Sequence, residues 1–87
     1  MSNIVFSNST GVLSPSGASI GSITLVAGAS NATCEITDSV TTGSSATIMS
    51  LACLANDTVT VSLHGVDANT GVYLEAVSNG TVFLELL

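Results

Sequence analysis

The chain has no lysine and no arginine, while six carboxylates and one histidine give it a formal charge of −6 over 87 residues. An average chain of this length would hold about ten basic residues, since roughly a quarter of residues are charged. Nucleic-acid binding depends on Lys and Arg to neutralise phosphates and release counterions, so that class is excluded. Docking on an anionic membrane surface fails for the same reason. With no Lys or Arg to pair with, Glu35, Asp38, Asp57, Asp67, Glu75 and Glu85 must be solvated, hydrogen-bonded, or matched to a partner's basic groups. Trypsin has no cleavage site in such a chain, which suits a particle exposed to proteases.

Other scarcities narrow the reading further. The longest mostly apolar stretch, Ile48–Ala55, is far below the ~18 residues of a membrane-spanning helix. Met1–Thr10 has neither a basic n-region nor an apolar h-region, so no secretory signal is expected. Two cysteines, Cys34 and Cys53, allow either one bridge or two buried free thiols in a reducing cytoplasm. His64 is the single histidine, which removes multi-histidine metal sites, and no serine sits in a nucleophile-elbow sequence. Asp67-Ala68-Asn69-Thr70-Gly71 alternates oxygens as a calcium loop begins, but the distant bidentate Glu and the flanking helices are missing, and hairpin turns look the same. Asn8, Asn31, Asn56 and Asn79 each open an Asn-x-Ser/Thr sequon, in a chain where Asn, Ser and Thr are common enough to produce them by chance. No catalytic, cofactor-binding or metal-ligating residue is therefore assigned, and the chain is not expected to be an enzyme.

What is present is period-two alternation. Ala32, Cys34 and Ile36 alternate with Thr33, Glu35 and Thr37; Val59, Val61 and Leu63 with Thr58, Thr60 and Ser62. Val72, Leu74 and Ala76 alternate with Tyr73, Glu75 and Val77; Val82, Leu84 and Leu86 with Thr81, Phe83 and Glu85. Each run reads as a strand with one face inward, and Val59, Val61, Leu74, Val82 and Leu84 are expected in the core. Ala18–Val26, Ala46–Leu54 and the short Ile4–Phe6 complete the set. Turn chemistry separates them, and Asn79-Gly80 between two alternating runs predicts a tight hairpin joining the last two strands. His64 then falls at a strand end before the turn Gly65–Gly71. The expectation is an all-β single domain over 1–87, with 1–15 as a looser N-terminal arm. About seven short antiparallel strands would form a small β-sandwich, jelly-roll-like, or a partly open barrel.

The layout from Ile23 onward runs through a Gly-Ala turn at Leu25–Ala29 and a strand closing on an Asp before a Gly-containing loop, Ile36–Gly43. An apolar strand, Ile48–Leu54, and Gly71-Val72-Tyr73 leading to Asn79-Gly80-Thr81 complete it. This arrangement resembles small all-β bacteriophage virion structural proteins of the capsid decoration, or cement, type. The resemblance implies a compact β-fold that oligomerises, often as a trimer, and stabilises a capsid lattice. It brings no catalytic residues.

Composition points the same way: 46% of residues are hydrophobic against 7% charged, in a domain too small to bury them all. The expected partners are other copies of the chain and a major capsid or other virion protein with a basic or apolar docking surface. The expected location is the capsid surface, after assembly in the host cytoplasm. A tail, fibre or adhesin-like appendage subunit is the alternative. A small carbohydrate-binding module is a further one, weakened by having only Phe6, Tyr73 and Phe83 as aromatic platforms.

Overall fold

A computed structural model of the chain describes residues 3–43 and 45–87. It contains eight strands: β1 Asn3–Ser7, β2 Gly11–Ser14, β3 Ala18–Ala27, β4 Ala32–Thr37, β5 Thr47–Cys53, β6 Thr58–Ala68, β7 Val72–Ser78 and β8 Gly80–Leu86. They form two four-stranded antiparallel sheets, ordered β1-β8-β3-β6 and β2-β7-β4-β5. The pairs β4–β5, β3–β6, β2–β7 and β1–β8 are those of one long hairpin, folded about the 38–46 loop and wound into two layers. That is the jelly-roll form of the β-sandwich.

Alternation explains which side chains fill the space between the layers. Ile23 and Leu25 of β3, Ile36 of β4, Val72 and Leu74 of β7, and Val82 and Leu84 of β8 are fully buried. Val59 and Val61 point inward as expected but are only half-buried, because β6 closes the open end of its sheet. Cys34 and Cys53 are free, buried thiols on the inward face of β4 and β5. Their register, Cys34 opposite Leu51 and Cys53 opposite Ala32, makes them diagonal neighbours. Diagonal side chains stand roughly 7 Å apart, beyond the ~4 Å a disulfide requires. Burial pushes the Cys34 thiol above its ordinary pKa.

Four expectations are corrected. Residues 3–14 do not form a loose arm: β1 and β2 each complete the edge of a sheet. Asn79-Gly80 is not a hairpin, since β7 and β8 lie in different layers. In a wound hairpin only the innermost pair of consecutive strands can share a sheet, so this turn is a crossing. Asn79 makes the bend at φ 60°. Gly80 follows because a Cβ there would lie 2.7 Å from the Val26 carbonyl oxygen and 3.0 Å from the Ala32 Cβ.

The third correction concerns β7. Leu74 pairs with Ile36 and Ala76 with Glu35, so β7 gains one residue relative to β4. This bulge flips the alternation, leaving Ala76 exposed and turning Val77 toward the core. The last concerns His64, which lies within β6 and not at its end. His64 and Gly65 take left-handed φ values of 53° and 88°, forming an irregularity opposite Gly21, and the strand resumes through Ala68.

Candidate interaction surface

The outward face of the β1-β8-β3-β6 sheet carries the largest exposed side chains. In β1, Ile4 and Phe6 share one face by the two-residue period and turn to solvent, 62% and 68% exposed. Phe6 lies directly opposite Phe83 of β8. Their rings stack with centroids 5.7 Å apart and planes 27° from parallel. Phe83 faces outward because its neighbours Val82 and Leu84 are committed to the core. Ile4 lies opposite Glu85, whose Oε1 accepts from Ser22 Oγ at 3.4 Å. That carboxylate settles over Gly21, where a Cβ would come within 2.8 Å of it. Beyond Phe83 the surface becomes hydroxylic: Thr24 pairs with both Phe83 and Thr60, and the two threonine hydroxyls are 3.0 Å apart. The result is an apolar corner bounded by one carboxylate and a threonine field.

Most other carboxylates hold loops in place. Asp38 accepts the backbone N–H groups of Asn69, Thr70 and Gly71 at 3.0, 2.8 and 3.3 Å. The bond from Thr70, followed by that from Asn69, holds its carboxyl below the usual range. The segment considered as a calcium loop thus turns its N–H groups to an anion. Its Asp67 Oδ1 accepts from Ser19 Oγ, beside an open depression of about 330 Å³ that includes Gly17 and Asn69. Glu75 Oε1 accepts from Thr42 Oγ1 at 2.9 Å and the Gly43 N–H at 2.6 Å. Its Oε2 is buried without a partner among the described residues. Glu35 Oε2 accepts from Thr47 Oγ1, and Asp57 Oδ1 from the Thr58 N–H. Among the described residues no group of three or more His, Cys, Asp or Glu is placed to hold a metal.

The remaining sequence candidates scatter. His64 is exposed, its Nδ1 3.5 Å from Ser62 Oγ. The sequon asparagines are exposed at one end of the sandwich, and two of them fasten loops there. Asn31 Oδ1 accepts the Ala55 N–H, and Asn79 Nδ2 donates to the Asn31 carbonyl. In the sequence, Ile4–Phe6 reads as a short strand within a looser arm, with no sign of its partner. The available signal was that Phe6 is one of three aromatics and shares a strand face with Ile4. Nothing in the sequence announced that Asp38 would find Thr70.

Comparison with family models, with characterised proteins and with solved structures finds no match for this chain.

Proposed function

We propose that the chain is a structural assembly subunit, a capsid decoration (cement) protein that self-associates and seats on a larger virion lattice. The observation that carries this reading is the solvent-facing Ile4–Phe6–Phe83 corner with Glu85 at its border. Exposed aromatics of this kind anchor protein interfaces, and a neighbouring carboxylate selects a partner bearing basic groups. A chain with no Lys or Arg offers that carboxylate no basic side chain of its own from either residue type. The jelly roll is a fold of viral capsid and lectin domains, which supports the reading by analogy alone.

The test is co-sedimentation of the purified chain with capsid particles lacking it. Binding to the particles, lost in Phe6→Ser and Phe83→Ser, supports the decoration role. Binding to isolated tails or fibres instead moves the chain to the appendage reading. No binding to any virion component removes both.

The stacked pair also favours a second reading, carbohydrate binding, because two of the three aromatics form one exposed platform beside threonine hydroxyls. Glycan-array binding that is lost in Phe6→Ser, without particle binding, would select it.

A further inference from the structure

We propose that two copies of the chain join along β5, pairing antiparallel edge to edge across a two-fold axis at Ser50. This rests on the reading of the chain as an assembly subunit and names the surface through which it associates with itself.

β5 and β6 are terminal strands of the two sheets and pack on the same flank of the sandwich. Of the eight half-buried aliphatics packed against the core, five lie there: Ile48, Met49, Val59, Val61 and Leu63. An edge strand presents unpaired N–H and C=O groups, and proteins commonly guard it with Lys, Pro, inward charge or a bulge. β6 is guarded by its left-handed His64-Gly65 step. β5 reads Thr47-Ile48-Met49-Ser50-Leu51-Ala52-Cys53, with no charge, no Pro and no Gly. Its one irregularity is at Ile48, near its beginning.

Charge selects the occupant. Each copy carries −6, so a second copy is accepted only where carboxylates are absent. None lies on β5, and none on β6 before Asp67. The nearest on the same sheet is Glu35 of β4, opposite Ser50. In a joined sheet the two Glu35 side chains would stand three strand spacings apart, about 14 Å. That exceeds the Debye length of about 8 Å at physiological ionic strength. The Phe6–Phe83 corner, by contrast, has Glu85 beside it and suits a basic partner.

Register follows from the pleat. Antiparallel strands must set inward residues opposite inward residues, or every side chain changes face. Centring on Ser50 sets inward Met49 against the second copy's inward Leu51, and the irregularity at Ile48 limits the matched stretch to these central residues. Ser50 meets its own counterpart on the outward face, where it is exposed.

The experiment uses the full chain at micromolar concentration, by sedimentation equilibrium and cysteine cross-linking. The wild type is expected at twice the 8.6 kDa chain mass. Ser50→Glu sets two carboxylates against each other and should weaken association about tenfold, whereas Ser78→Glu, on the same face of interior strand β7, should not. Ser50→Cys should form a covalent dimer under mild oxidation, with Ser78→Cys remaining uncoupled; the native thiols are buried and do not compete. Should Ser50→Glu fail to fold beside Glu35, the near-isosteric Ser50→Cys still decides. A monomer, a trimer, or equal coupling at positions 50 and 78 overturns the proposal. A monomer in solution that still coats particles overturns this surface alone and leaves the decoration reading standing.

Discussion

Asp38 and Thr70 are separated by 32 positions in the chain, yet the Asp38 carboxylate accepts the Thr70 backbone N–H at 2.8 Å. With Asn69 and Gly71 also donating, one side chain from the β4–β5 loop closes the β6–β7 turn.

The bond predicts a pH dependence. The folded-state pKa of Asp38 is depressed below its ordinary 3.8. Stability from this group is therefore fully present above 3.8 and is lost as pH falls through the lower folded value. Thermal melts from pH 6 to pH 2 should show the wild type losing this increment below pH 4. Asp38→Ala should melt lower than the wild type at pH 6 and show a shallower acid slope. Parallel melting curves for the two proteins across that range would contradict the assignment.

Gly80 supplies a second prediction. A methyl group there meets the Val26 carbonyl and the Ala32 side chain inside the allowed contact distance, so Gly80→Ala should destabilise by about 1–3 kcal/mol. At Gly28 the added Cβ would meet only the Asn79 carbonyl oxygen, at 3.5 Å, and Gly28→Ala should be nearly neutral. Urea denaturation of the two variants makes the comparison.

The same turn marks where sequence reading stops. The period-two pattern placed Leu74, Val82 and Leu84 correctly, because a strand's inward face is written in its own alternation. It could not say which strands share a sheet. Asn79-Gly80 has the chemistry of a hairpin and of a crossing alike, and only the winding of the whole chain chooses. Alternation also fails at a bulge, as at Glu75 between Leu74 and Ala76, where register against β4 outweighs the local pattern. The Phe6–Phe83 contact spans nearly the full chain, so neither local run implied it.

Position within the sheets predicts graded core costs. Leu84, on β8 between β1 and β3, has no exposed surface, and Leu84→Ala should cost about 2–5 kcal/mol. Val61 is half-buried on terminal β6, and Val61→Ala should cost about 1 kcal/mol, since each fully buried CH₂ contributes ~0.8 kcal/mol. Equal costs in urea titrations, run at concentrations where the chain is monomeric, would contradict this gradient of burial.

On the proposed docking role, the Phe6–Phe83 pair should separate stability from docking. An aromatic pair adds about 0.5–1.5 kcal/mol beyond its buried area, and Phe6 buries little, so Phe6→Ser should leave the fold nearly intact. A central aromatic anchor of an interface carries about 2 kcal/mol or more, which is roughly a thirtyfold loss of affinity on truncation. Phe6→Ser should therefore abolish particle binding at concentrations where its urea midpoint is scarcely moved. Glu85→Gln supplies the electrostatic counterpart. It removes the border charge, so it should weaken binding at low salt and matter less at high salt, where screening already reduces that attraction. If Phe6→Ser loses stability and binding in proportion, the aromatic pair serves the fold. If binding falls while the urea midpoint stays, Ile4, Phe6 and Phe83 form a docking surface that the sandwich presents without needing it for its own stability.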